Sequence, residues 1–306
     1  MRILMTGGLG FIGSNLSKKL GDYGYEIHVF DRRRVNKERY YRGDLNDYYS
    51  LENAFENTRP QVVIHLGAMV SRKESEETPD MAIATNAGGS FHVCSLSLKY
   101  GSRLIYAGSS EEYGTALQSN SVVDESTPFG EPTSIYSMTK RMAEEIVQYF
   151  AHFKGLTATT MRLFMLYGPG EEPTDYRSAI ARFTYNALTN RSLAVHANTE
   201  RAWCHIDDAT YIMKLIVDRQ QGSNYEIFNI GKDEPILTEL LAQKIVKLSG
   251  SSSEIVKIPI EATVIPVKRA SFKKAKDILG WEAKVPIEDG LTGVIKWMRE
   301  YIKKHV

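Results

Sequence analysis

Residues 1–13 read MRILMTGGLGFIG. Residues 2–5 form a short apolar run of strand type, and Gly7, Gly10 and Gly13 come directly after it. Residues 11–20 then carry the spacing of an amphipathic helix. Glycine is needed where the chain turns tightly and where backbone must approach a ligand with no Cβ in the way. The start of the helix adds unpaired N–H groups and a dipole that favours an anion. The stretch therefore reads as a dinucleotide site, with the pyrophosphate on Gly7, Gly10, Phe11, Ile12 and Gly13. Turns alone can explain a glycine triplet; the strand before it and the helix after it decide for the nucleotide.

Outward from this stretch the alternation continues. Apolar runs at 26–30, 61–66, 103–107 and 157–163 are separated by helical spacing, clearest at 84–98 and 137–153. Strands that alternate with helices imply a parallel sheet covered on both faces. The expected class is α/β, a Rossmann-type doubly wound parallel sheet. Glycine and proline punctuate the chain at Tyr167-Gly168-Pro169-Gly170, and Glu171-Glu172-Pro173-Thr174 reads as loop. Beyond it, helical spacing recurs less regularly at 179–188, 208–217, 238–248 and 290–301. We expect a dinucleotide-binding domain over residues 1–166 and a smaller mixed α/β substrate domain over 167–306, with room for the two to interleave.

The 306 residues are 42% hydrophobic and 25% charged, an ordinary globular composition. With 38 basic and 37 acidic residues the net charge is +1, which points away from nucleic acid and from an anionic membrane as partners. Phosphate must then be bound by local geometry. Cys94 and Cys204 lie far apart with no metal-type spacing, so no disulfide framework and no metal site is expected. They read as two reduced thiols of a cytoplasmic protein. The first residues are already strand-like, and no signal peptide or membrane span is expected.

Three further positions carry chemistry. Asp31 ends the second strand, where a carboxylate accepts hydrogen bonds from the adenosine ribose and favours NAD. Arg32, Arg33 and Arg34 come next, and an arginine there would suit the extra phosphate of NADP. NAD is the first reading and NADP the second, because Asp31 repels that phosphate. Tyr136 and Lys140 form a Y-x-x-x-K pair on one helical face. A free phenol titrates near ~10, and a nearby ammonium lowers that value. The phenolate then takes a proton from a hydroxyl whose carbon is oxidised. Ser109 lies just after the strand 103–107, at the end that faces the ligand crevice in such sheets. Each of these residues also has a plain reading: a capping Asp, an exposed helical pair, a serine-rich turn.

Taken together, TGGLGFIG, GDLND, VIHLGA, TNAGGSFHV, SSEEYG, YSMTK, RLFMLYGPG, RAWCHIDD and AKDILGWEAKVPIEDGL resemble, in order, the extended short-chain dehydrogenase/reductases of the nucleotide-sugar epimerase/dehydratase family. The resemblance implies adenine contacts at Asp44 and Leu45, a cofactor-lining backbone at Leu66, Gly67 and Ala68, and a structural Asn86. It implies a catalytic set of Ser109, Tyr136 and Lys140, with Lys140 also on the nicotinamide ribose. Ser109 and Ser110 would touch the substrate, and Arg201 and Arg269 would clamp its diphosphate. Arginine is the natural fork for phosphate oxygens; in isolation either could be a surface charge. The implied substrate is a nucleoside-diphosphate sugar and the implied assembly a homodimer.

The shared chemistry of that family is oxidation at the sugar C4, and the later steps differ between its branches. Glu111, two residues after Ser109, resembles the carboxylate of 4,6-dehydratases and uronate decarboxylases. A buried Glu with a raised pKa there would serve as acid or base. If the chain is extended, Glu112 points the other way, so the two are not both catalytic. Epimerase or dehydratase chemistry is the first reading, and a 4-keto-sugar reductase or uronate decarboxylase the second. A non-catalytic nucleotide-binding protein comes third, and the intact Tyr136 and Lys140 argue against it. Two features depart from the family pattern: Met165 stands where many members carry Asn, and the stretch 195–201 is short.

Overall fold

Alternate residues of the first strand face opposite sides of a sheet, as the period of two requires. Ile3 and Met5 join one buried cluster with Leu16, Leu20, Ile212 and Trp281. Leu4 joins a second, with Phe55, Val93, Val147 and Phe150. The same division separates Ile64 from Val63 and Ile105 from Tyr106. Both faces are thus dry. In this computed structural model residues 1–118, 122–174, 177–220, 222–260 and 265–305 are described.

The sheet has seven strands, all parallel. From one edge to the other they run Tyr225–Ile230, Ala158–Leu163, Arg103–Ser109, Val62–His65, Arg2–Thr6, Glu26–Asp31 and Tyr40–Arg42. Strand order reverses between Arg2–Thr6 and Val62–His65, which opens a crevice beyond their carboxyl ends. Gly7 stands on one side of it and Leu66 on the other. Helices Phe11–Asp22 and Ile206–Asp218 pack together on the first face. Helices Tyr48–Thr58, Gly89–Tyr100 and Ile135–Lys154 cover the second.

A smaller unit caps the crevice end. Tyr167, Phe183, Trp203, Leu241, Ile245 and Leu291 form its core. Helices Ala179–Leu188, Thr238–Ser249 and Ile287–His305 surround three two-stranded sheets. The two units interleave: helix Ile206–Asp218 and edge strand Tyr225–Ile230 return to the large sheet.

Local structure departs from the expected pattern in two places. The strand 103–107 runs on to Ser109 and leads into a 3₁₀ segment, Ser110–Gln118. The expected helix 84–98 begins as a π-helical stretch, Ile83–Gly88, and is α-helical only from Gly89 to Tyr100. Such wide turns recur at functional sites; this one carries Asn86. No helix among the described residues is long and apolar enough to cross a membrane.

Candidate active site

The glycine turn is shaped by what cannot be there. Gly7 has φ +67°, and a Cβ on it would lie 2.7 Å from the Cα of Gly67 across the crevice. A Cβ on Gly13 would lie 2.5 Å from the Gly7 carbonyl. Gly10 caps helix Phe11–Asp22 with no side chain, and no acidic residue stands in the first turn. The N–H groups of that turn are therefore left to an outside acceptor, and the dipole favours an anion. Phe11 and Ile12 are half-buried in the same turn. Asn15 ties the helix to the second unit through the Pro169 carbonyl at 3.1 Å.

Asp31 lies buried at the end of its strand. Its Oδ2 accepts the Leu9 N–H at 3.0 Å and its Oδ1 the Arg33 N–H at 3.1 Å. Each oxygen keeps acceptor capacity for ribose hydroxyls. The Arg33 Nε approaches Oδ1 to 3.7 Å, whereas Arg32 is exposed. Asp44 is exposed, and Leu45 is buried against the open faces of Gly67 and Gly89. Leu66, Gly67 and Ala68 are half-buried beside the crevice.

The crevice wall is locked by polar side chains behind it. Thr6 Oγ1 accepts the Gly67 N–H at 3.2 Å and meets His65 Nδ1 at 2.6 Å. Burial, reinforced by the charge of Lys140, pushes His65 down to about 3, so its ring is neutral. Asn86 binds Met69 through both its N–H, at 2.8 Å, and its carbonyl, at 3.0 Å, and donates to Thr139 Oγ1 at 2.9 Å. It thereby fastens the segment after the fourth strand to helix Ile135–Lys154. A glycine cradle that a Cβ would fill, an uncapped helix start and a ribose-facing carboxylate fit a dinucleotide.

Helix Ile135–Lys154 starts in a capping box of Ser134 and Ser137. Such caps contribute ~0.5–2 kcal/mol and fix the first turn. Tyr136 is in that turn and Lys140 one turn on. The Ser109 side chain lies beside the Tyr136 phenol and lowers its pKa. Ser109 Oγ also accepts the Glu111 N–H at 3.2 Å. Lys140 is buried, donates to the Ala107 carbonyl at 2.7 Å and stands 4.3 Å from the centre of the Tyr106 ring. Burial lowers its pKa to about 8, against the opposing charge of the Glu112 and Glu144 pair. The sequence suggested a lowered phenol. Burial instead pushes Tyr136 above its ordinary value, with Ser109 opposing and the charge of Glu111 reinforcing. In this state the phenol keeps its proton.

Glu111 also departs from expectation. Burial would raise its pKa, but Lys268, Arg72 and Arg201 together carry it below the usual carboxyl value. Lys268 Nζ is bonded to Glu111 Oε1. Glu111 Oε2 is buried and accepts from no group among the described residues. Ser110, beside it, is buried.

The two arginines expected on a diphosphate behave differently. Arg269 is exposed, and the neighbouring Lys268 is buried in the site instead. Successive side chains of an extended segment point to opposite sides, and that alternation was the available signal for choosing between them. Arg201 faces the site, but its guanidinium donates to the carbonyls of Glu200, Ile265 and Pro266, each at 2.7 Å. Met165 holds φ +34°, a left-handed conformation, and its carbonyl accepts the Cys204 N–H at 3.1 Å. Lys268 and Arg72 were missed in the sequence because no short motif contains them.

With this geometry in place, comparison with known proteins is informative. The profile of the NAD dependent epimerase/dehydratase family matches residues 3–231. The chain is 29% identical to UDP-N-acetyl-alpha-D-glucosaminuronate decarboxylase of Bacillus cytotoxicus, over 98% of each chain. It is 30% identical to UDP-glucuronic acid decarboxylase 1 of Xenopus tropicalis, over 99% of this chain and 73% of that one. Among solved structures, the UDP-glucose 4-epimerase of Thermotoga maritima with UDP-glucose superposes with a TM-score of 0.90 at 29% identity, covering 99% of this chain and all of that one.

Proposed function

The chain belongs to the NAD-dependent epimerase/dehydratase family, and on that premise we propose that it oxidises the C4 hydroxyl of a nucleoside-diphosphate sugar with bound NAD and then epimerises or dehydrates the keto sugar. One observation carries the reading. Ser109, at the carboxyl end of the parallel sheet, lies beside the Tyr136 phenol, with Lys140 buried behind them.

Bound NAD supplies the oxidant at the sugar carbon and a positive charge near the phenol. With that charge lowering its pKa, the Tyr136 phenol would release its own proton to solvent and, as phenolate, accept the proton of the C4 hydroxyl as that carbon is oxidised. Ser109 holds the same oxygen and opposes the rise in the phenol's pKa. Lys140, fixed on the Ala107 carbonyl, keeps an ammonium beneath the ribose end of the site. Glu111, held ionised, is the base for a proton next to the ketone.

A second reading, decarboxylation of a nucleotide-activated uronic acid, is favoured by charge. Lys268 and Arg201 both act on the carboxylate of Glu111 and make the site cationic in character. An acidic sugar would be drawn there. We place the protein in the cytoplasm, with both cysteines reduced and buried. We take it to be a homodimer, because Phe91, Leu98, Met142, Tyr149 and Phe153 are exposed on two adjacent helices.

The experiment is conversion of UDP-glucose, UDP-glucuronic acid and dTDP-glucose by the purified protein with NAD, with products identified by NMR. Epimer or 4-keto-6-deoxy products support the first reading, and a released carbon dioxide with a pentose product the second. Firm NAD binding with no product from any nucleotide sugar would leave a non-catalytic binding protein.

A further inference from the structure

Glu112 is the next residue after Glu111, yet its carboxyl turns into the protein and is fully enclosed. Its Oε1 accepts the Ser109 N–H at 2.8 Å. Gly108 makes the room: a Cβ there would lie 3.0 Å from Oε1 and 3.2 Å from Oε2. The second oxygen, Oε2, is buried, and no group among the described residues donates to it. The Glu144 carboxyl lies within hydrogen-bonding reach of Glu112.

One guanidinium stands beside these two carboxyls. Arg162 donates from Nε to Glu144 Oε2 at 3.0 Å and from Nη2 to Glu144 Oε1. Its Nη1 donates to the Tyr113 hydroxyl at 2.9 Å. Glu112 receives only a 3.8 Å approach of Nε to Oε2. The positive charge of Arg162 is therefore committed to Glu144. A second carboxylate beside Glu144 in a dry interior is unfavourable, and neighbouring carboxyls relieve this by sharing a proton. A proton on Glu112 Oε2 converts the orphan acceptor into a donor aimed at Glu144.

We infer that Glu112 and Glu144 hold one proton between them and that the neutral carboxyl of Glu112 is a positioning residue for Ser109. Lys140 grips the Ala107 carbonyl and Glu112 grips the Ser109 N–H, so the strand end that bears the reactive hydroxyl is clamped at both residues. The groups facing the pair are Lys140 and Tyr136 on the same helix as Glu144, Arg162 and Tyr106 on the central strands, Tyr113, and Tyr225 on the edge strand. Burial and then the charge of Glu144 push Glu112 well above the ordinary carboxyl value, the direction a shared proton requires. The catalytic consequence rests on the function proposed for Ser109; the shared proton does not.

Two variants test it. Glu112→Gln keeps an acceptor for Ser109 and a donor for Glu144 and cannot titrate. The folded wild type holds the proton more tightly than the unfolded chain, so its stability falls as pH rises above the ordinary glutamate value. We expect the Tm of Glu112→Gln, relative to wild type, to climb steadily from about pH 5 to about pH 8. We also expect the infrared absorption of a protonated carboxyl at neutral pH in the wild type and its loss in this variant. A Tm difference that stays constant with pH, with no such absorption, would overturn the shared proton. Glu112→Val should lower turnover of a sugar the wild type converts by about tenfold at unchanged KM, with Gln restoring it. Full turnover in the Val variant, or a change in KM alone, would overturn the positioning role. If the wild type converts no nucleotide sugar, the proposed function fails while titration and infrared still decide the proton.

Discussion

Glu111 and Lys268 meet in a buried ion pair although 157 positions separate them in the chain. One lies just past strand Arg103–Ser109 of the large sheet, and the other comes from the segment that leads to the last helices. The pair therefore joins the two units beside the proposed catalytic residues. It also opposes the effect of burial, which by itself would raise the pKa of that carboxyl.

Removing the cation should expose that dependence. Glu111 titrates below its ordinary value, so its contribution is present above ~4.5 and is lost as pH falls through the folded value. Lys268→Met should cost about 3–5 kcal/mol at neutral pH. The penalty should shrink in acid, where the stranded carboxyl takes up a proton. Urea unfolding across pH checks this, and a penalty independent of pH would refute the ion-pair account.

The phenol is tested more directly. Tyr136→Phe should reduce turnover at least ~100-fold while NAD binding, measured by calorimetry, is retained. Near-normal turnover would remove Tyr136 as the proton acceptor.

Lys140, with a pKa of about 8, should impose a basic limit. Turnover should decline above that pH as the ammonium is lost. Its stability effect has the opposite sign: the unfolded chain binds the extra proton between about 8 and the ordinary lysine value near ~10.4, so stability gains with pH there. A turnover profile flat to the ordinary lysine value would contradict the burial effect.

Glu111→Gln should separate the steps. Oxidation at C4 should proceed and reduced nicotinamide should accumulate, visible by its absorbance, while dehydrated or decarboxylated product is lost. Equal loss of both steps would make Glu111 structural.

Met165 carries a backbone conformation that L side chains avoid, at a cost of ~1–2 kcal/mol, and asparagine tolerates it better. Met165→Asn should therefore raise stability by about 1 kcal/mol in urea unfolding. Any loss of stability would mean that the packing of the thioether outweighs the strain.

The sheet was legible because its strands announce themselves locally: residues 2–5, 26–30 and 103–107 are apolar runs bounded by turns, and both faces of the sheet bury them. The edge strand Tyr225–Ile230 was not, since Asn229 and Glu226 interrupt its pattern and its partner is distant in sequence. Ser109, Tyr136 and Lys140 could be read because helix spacing and strand ends place them. The Lys268 contact could not be, because it depends on how the second unit folds back. The opposite fates of Glu111 and Glu112 depend equally on tertiary structure: one meets Lys268, and the other meets Glu144 and Arg162.

The late return of the chain to the large sheet bears on how the protein is made. Strand Ala158–Leu163 borders its open side until Tyr225–Ile230 has emerged from the ribosome. The first part of the second unit, with helix Ala179–Leu188, is synthesised before then, so an unfinished sheet edge coexists with a growing nascent chain. Exposed edges of this kind invite wrong pairing. A nascent chain stalled before residue 225 should accordingly be more susceptible to protease and more dependent on chaperones than one stalled after residue 230.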